Sequence, residues 1–72
     1  MPEFKNTVRH NLRVAMAKAD MSAQELSDKS GISYDAITKY LRGETGPLLE
    51  TACKLADALG CSPNDLCGIN GN

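Results

Sequence analysis

The stretch "SAQELSDKSGISYDAITKYLRG", residues 22–43, holds two helical patterns split by a lone glycine. Ser22 and Glu25 stand in the S-x-x-E arrangement of a capping box, in which each side chain satisfies the other residue's otherwise unpaired backbone N–H. Leu26 is the apolar anchor of this first pattern, and Ser27 is small enough for close helix contact. Gly31 ends it, supplying the left-handed conformation that the position after a helix often needs. Ile32 packs next, Ser33 caps a second helix, and Gly43 closes that one in the same manner. Ile37, Tyr40 and Leu41 point inward, whereas Ser33, Tyr34, Asp35, Thr38 and Lys39 do not. A small chain thus commits a whole helix front to side chains that add little to its core.

Outward from this segment the pattern stays helical. A preceding helix is expected from about Glu3 to Ala19, with Phe4, Val8, Leu12, Ala15, Met16 and Ala19 at the three-and-four spacing of one buried stripe. Lys5, Arg9 and Arg13 fall off that stripe and read as a solvated face; Asp20 and Met21 make the connection. After the "GETGP" loop, a helix from about Pro47 to Leu59 places Leu49, Ala52, Cys53, Ala56 and Leu59 on one face, with Leu55 beside it. Pro47 suits a first helical position, where its missing N–H costs nothing. Gly60 terminates this helix, and "SPND" starts another, with Ser62 as cap, Pro63 first and Asp65 near the positive helix end. That short helix runs through Leu66 and Cys67 to Gly68. No alternating β-branched run occurs. The expected fold is all-α, five short helices around one core, with one domain over residues 1–68 and a tail over 69–72.

Bulk composition narrows the function classes. Seventy-two residues, 42% apolar and 24% charged, support one modest core, with roughly 60% of the unfolded surface buried at this size. No run approaches the ~20 apolar residues of a membrane span, and "MPEFKNTVRHNL" lacks a signal peptide's apolar stretch, so a cytoplasmic location with no membrane partner is expected. Cys53, Cys61 and Cys67 form no CxxC pair, and His10 is far away in sequence. Zinc favours four ligands in tight pairs, so no metal is expected and the thiols read as small hydrophobes. There is no second histidine and no phosphate loop, and a buried pocket of the usual ~300 Å³ or more has no room here. No enzyme, catalytic residue, cofactor or small-molecule substrate is therefore expected. Net charge is −1, yet residues 1–42 carry seven Lys/Arg against five acids, and residues 43–72 one against four. A nearly neutral chain of this kind can still present one basic face.

With these elements in place, "MSAQELSDKSGISYDAITKYLRG" resembles the helix-turn-helix of the lambda-repressor-like, Cro-type family of DNA-binding regulators. The resemblance is carried by Ser22, Glu25-Leu26, Ser27, Gly31-Ile32-Ser33, Ile37 and Arg42-Gly43. It continues through "PLLETACKLADALGCSPNDL", in Pro47, Leu49, Glu50-Thr51, Leu55-Ala56, Ala58-Leu59-Gly60 and Asp65-Leu66. It covers about residues 8–68 and implies the five-helix lambda-repressor-like domain, helices two and three forming the motif. Four positions depart from the family's habit. Ala23 stands where a glutamine is frequent. Met16 and Leu41 replace a buried Arg–Glu pair, an exchange that is often neutral or stabilising. Leu48 replaces a small polar cap.

The resemblance implies a function for the polar front. In this family the second motif helix enters the major groove with its N-terminal residues on the base edges. Carried over by position, Tyr34, Asp35 and Lys39 become base readers, with Thr38 secondary. Lys39 suits guanine O6 and N7, Asp35 a cytosine amino group, and the Tyr34 ring a thymine methyl or a phosphate. Ser22, the backbone at Ala23, Gln24, Ser33, Arg42 and Thr45 become phosphate contacts, which set position and affinity without reading sequence. Asp35 also has a simpler reading, as an acid favourable at a helix N-terminus. Leu66, Cys67 and Ile69 either close the core or form a twofold contact, since two heads one DNA turn apart double the phosphate contacts. The resulting expectation is a transcriptional regulator, a repressor foremost, that binds an inverted repeat in double-stranded DNA as a homodimer. The alternative is a protein-interaction module of the same fold, antitoxin-like or an anti-regulator partner, with little DNA binding of its own.

Overall fold

The computed structural model describes residues 4–67. Five helices follow in order: α1 (Phe4–Ala19), α2 (Ala23–Ser30), α3 (Tyr34–Arg42), α4 (Leu49–Leu59) and α5 (Pro63–Cys67). Among the described residues none lies in a strand. No helix there is long and apolar enough to cross a membrane. α1 packs against α3 and α5, α4 against α5 and α2, and α2 against α3. The core where they converge contains Leu12, Leu26, Ile37, Tyr40, Leu55, Ala56, Ala58 and Leu66.

The first four helices each stop for a local reason. At the ends of α1, α3 and α4 the chain makes the same pair of reverse hydrogen bonds: Met21 N to Met16 O and Asp20 N to Ala17 O, Glu44 N to Lys39 O and Gly43 N to Tyr40 O, and Cys61 N to Ala56 O and Gly60 N to Asp57 O. This motif satisfies carbonyls the helix leaves orphaned and needs a left-handed residue after the last turn. Gly43 and Gly60 supply it, and after α1 Asp20 does so at φ 53°. Gly31 makes a simpler stop with one bond, to Ser27 O.

Gly43 is also pressed by its neighbours. At φ +73°, a Cβ there would meet Arg9 Cδ and Asn6 Oδ1, both at 3.2 Å, whereas one at Gly31 (φ +79°) meets nothing within 4 Å. Both alanine substitutions carry the left-handed penalty of about 1–2 kcal/mol, and Gly43→Ala is expected to cost more than Gly31→Ala because Arg9 and Asn6 must also yield. Urea denaturation of the two variants side by side checks this order.

Several expected inward positions face water instead. Phe4 is 47% exposed, with its ring against Gly46, and Ala19 is exposed. In α4 the buried arc is Ala52, Leu55, Ala56 and Ala58. It is centred nearer Leu55 than the face expected from Leu49 and Cys53, so both of those swing into solvent, Leu49 at 73% exposure. Pro47 is buried but lies outside the helix. Leu48 is the N-cap and makes no side-chain cap hydrogen bond, because leucine has no acceptor to offer the first turn.

α5 opens on a reciprocal cap: Ser62 N donates to Asp65 Oδ2 at 3.0 Å, and Asp65 N to Ser62 Oγ at 3.3 Å. Asn11 Nδ2 then ties the helix to α1 by donating to Leu66 O at 3.1 Å. Leu66 is fully buried and Cys67 is 8% exposed. Their burial favours the core-closing alternative over the twofold contact; Ile69 lies outside the described residues. Burial pushes the Cys61 and Cys67 thiols up from their ordinary pKa, which disfavours the thiolate, the reactive form. An open groove of about 410 Å³ lies between α1 and the α4–α5 turn, lined in part by Asn11, Val14, Lys18, Leu59 and Asp65.

Candidate nucleic-acid interface

The candidate surface is built from the start of α2, the outward face of α3 and the loop that follows. Ser22 begins it. Its Oγ accepts from Glu25 N at 3.1 Å, and its own N–H donates to Glu25 Oε1 at 2.9 Å, which completes the capping box. A hydroxyl has one donor and two acceptor sites, so the Ser22 proton remains available to an outside acceptor. Ala23 turns its methyl onto the core, which leaves only its backbone to serve as a contact. Gln24 is exposed, and its Nε2 donates to Asp28 Oδ1 at 3.1 Å.

The Ser22 N–H, and to a lesser degree its hydroxyl, holds the Glu25 carboxyl below the usual carboxylate range. A carboxylate with a lowered folded-state pKa stabilises the fold above its unfolded pKa. That contribution is lost as the pH falls through the folded value. Wild type is expected to melt above Glu25→Gln at neutral pH, and the gap to close on acidification; thermal melts from pH 7 down to pH 3 check it.

The turn between α2 and α3 is fixed by its own serines. Ser27 Oγ donates to Ile32 O at 2.7 Å, and Ile32 N donates to Ser30 Oγ at 3.1 Å. Ser33 then caps α3, its Oγ accepting from Ala36 N at 3.1 Å. Two constraints hold the helix at its inner side: Ile37 is fully buried and Tyr40 is 8% exposed. A third comes from α1. Arg13 donates from Nη2 at 2.8 Å and from Nε at 3.3 Å to Leu41 O, at the negative end of α3. A cation there satisfies an orphan carbonyl and complements the helix dipole. Arg13 is therefore a brace for α3, not the plain solvated residue expected from its place off the α1 stripe.

The outward side chains of α3 are arranged as expected, with two additions. Tyr34 is 50% exposed. Asp35 and Lys39 are paired, with Asp35 Oδ2 3.5 Å from Lys39 Nζ and the side chains 78% and 48% exposed. Thr38 is half-buried, and its hydroxyl donates to Asp35 O at 2.8 Å, so it has only lone pairs left to present. At the far end Arg42 Nε sits 2.7 Å from Glu44 Oε2. A guanidinium has five N–H donors, so the others remain free to meet a phosphate, against the pull of that carboxylate. Thr45 is exposed.

Arg13, Glu44, Ser27 and Ser30 were not legible as contributors. The serine bridges had a signal, since both flank a glycine turn. The Glu44 contact is local, two residues from Arg42, whereas that of Arg13 depends on where α1 lands against α3 and had no signal.

A polar helix front held outward by a buried rear face, after a glycine turn and a capped helix, is the architecture of a helix-turn-helix domain. Residues 11–72 match the Cro/C1-type helix-turn-helix DNA-binding domain, and the chain belongs to that family. Over 44 residues it is 43% identical to RstR, the cryptic phage CTXphi transcriptional repressor of Vibrio cholerae serotype O1; the match spans 61% of this chain and 39% of the repressor. It is also 28% identical over 60 residues to the replication factor C small subunit of Methanocaldococcus jannaschii, across 83% of this chain but 3% of that protein. Among solved structures, an HTH_3 family transcriptional regulator from Vibrio cholerae superposes with a TM-score of 0.84 at 22% identity, over 93% of this chain and 38% of that one. That likeness concerns the fold. The chain spans about two-fifths of the phage repressor and of the solved regulator.

Proposed function

We propose that this chain is a sequence-specific transcriptional repressor, two copies of which occupy an inverted-repeat operator with α3 in the major groove. The observation that carries the reading is the outward row on α3: Tyr34, Asp35 and Lys39 are exposed while Ile37 and Tyr40 fasten the same helix to the core. Base edges present donors and acceptors, and such a row can match them. Ser22, Ser33, Gln24, the Ala23 backbone, Arg42 and Thr45 take the phosphates in this reading. The similarity to a phage repressor supports the repressor role.

Two-copy binding has a dimensional argument. The longest extent of the Cα trace is 32 Å, close to the ~34 Å between half-sites one helical turn apart, so two heads fit side by side along one face of a duplex. Leu48 and Leu49, 77% and 73% exposed, are uncovered apolar surface for such a contact, in place of Leu66 and Cys67. Mobility-shift titrations across genomic fragments test the proposal. A few fragments bound far more tightly than the rest support it; uniformly weak, sequence-blind binding contradicts it.

The interaction-module reading keeps one specific support. Asp35 and Glu44 each neutralise a cation of the candidate face, which lowers its attraction for phosphates. Pull-down of a stoichiometric protein partner, with no retention on DNA, favours this second reading over the first.

A further inference from the structure

Lys39 and Asp35 stand one helical turn apart on α3, Nζ and Oδ2 3.5 Å from each other and both side chains open to solvent. We propose that they act as one reading unit, matched to a single G·C base pair in one orientation. The inference rests on the DNA-reading role of α3 proposed above.

The chemistry of the groove supplies the match. Across its major-groove edge a G·C pair presents N7 and O6 of guanine, both acceptors, and then the amino donor of cytosine. An ammonium and a carboxylate held about a hydrogen-bond length apart present the complementary order. Lys39 donates to guanine O6 and N7, and Asp35 accepts from the cytosine amino group beside them. The other pairs fit less well, each for its own reason. C·G sets the amino group against the ammonium and the acceptors against the carboxylate. A·T sets the adenine amino group near the ammonium and thymine O4 before the carboxylate. T·A is the nearest competitor, because its central acceptor and donor keep the favourable order. It loses the N7 acceptor beside Lys39, however, and puts the thymine methyl there.

The same pair works against the wrong DNA. Away from its base pair, Asp35 faces phosphates of its own sign while Lys39 is engaged with Asp35, so non-specific binding is weakened along with mismatched sites. An ion pair at this spacing, with the acid toward the N-terminus, is also an ordinary helix-surface feature worth only tenths of a kcal/mol to the fold. The two roles separate in experiment, because a purely structural pair leaves base preference untouched.

The test starts with selection of bound duplexes from a random-sequence pool, using the whole chain. Competition binding then follows with all four base pairs at each position of the enriched site. Wild type is expected to favour G·C at one position by roughly ten- to hundredfold over C·G and A·T, with T·A between. Asp35→Asn and Lys39→Ala should both flatten the preference at that position. The exchanged variant, Asp35→Lys with Lys39→Asp, should turn it toward C·G. Circular dichroism verifies that the variants keep their helices; if the exchanged variant does not fold, the two single variants decide the matter. The assignment is overturned if the single variants alter different positions, or if Asp35→Asn leaves every preference intact. A pool with no enriched sequence overturns the DNA-reading role itself and this inference with it.

Discussion

Ile37→Ala is expected to destabilise the domain by about 2–5 kcal/mol, the range for truncating a buried branched side chain and leaving a cavity. Ile37 is fully buried in the central cluster. At about 0.05–0.15 kcal/mol per residue, a chain of this length has on the order of 4–11 kcal/mol in total. One methyl-lined void therefore removes a large share, in the least favourable case all of it. The consequence for function is disproportionate, because the same residue fastens the inner side of α3. Urea denaturation followed by circular dichroism measures the loss, and a shift under about 1 kcal/mol would mean that the surrounding side chains collapse into the space. A core truncation outside α3, Leu55→Ala, is expected to cost a similar amount. At concentrations of denaturant where both remain folded, only Ile37→Ala should also reduce operator affinity.

The second large effect concerns the division between reading and clamping. Lys39→Ala is expected to cost roughly 1–3 kcal/mol of discrimination at one base position while leaving other positions unchanged. Arg42→Ala should instead weaken all sequences alike and lower the salt slope by about one counterion. Glu44 modifies this second expectation. It holds Arg42 Nε at 2.7 Å, so part of the cation's charge is already spent, and Glu44→Gln should strengthen binding to every sequence. Filter-binding titrations at several salt concentrations with cognate and substituted duplexes separate the three variants. Identical behaviour of Lys39→Ala and Arg42→Ala would refute the division.

The legible parts share a feature: their causes lie within a few residues of chain. Ser22 with Glu25, Gly31, Ser33, Gly43, Gly60 and Ser62 with Asp65 mark boundaries because capping and left-handed stops are local hydrogen-bond problems, and all of them hold in the structure. The alternation within α3 was legible for the same reason, since Ile37 and Tyr40 are three apart and must share a side. Where the reading failed, the cause was remote. Phe4 has the right spacing for the α1 stripe but is left half-exposed, its ring against the loop at Gly46. Leu49 and Cys53 obey helical periodicity, yet the orientation of α4 is set by α2 and α5 packing on its other side.

By itself the sequence determined the order and helical type of the described elements, most of their ends and the polar character of the α3 front, because each follows from torsional preference, capping chemistry and periodicity over one or two turns. The start of α4 was not among them, since Pro47 lies outside the helix. Only the tertiary structure decided which apolar side chains are spent in the core. Leu66 and Cys67 are consumed there while Leu48 and Leu49 are left outside. It alone brought Arg13 of α1 to the Leu41 carbonyl near the end of α3. Burial and long-range hydrogen bonds depend on where distant segments meet, and that meeting is a balance of packing over the whole chain, which no local window contains.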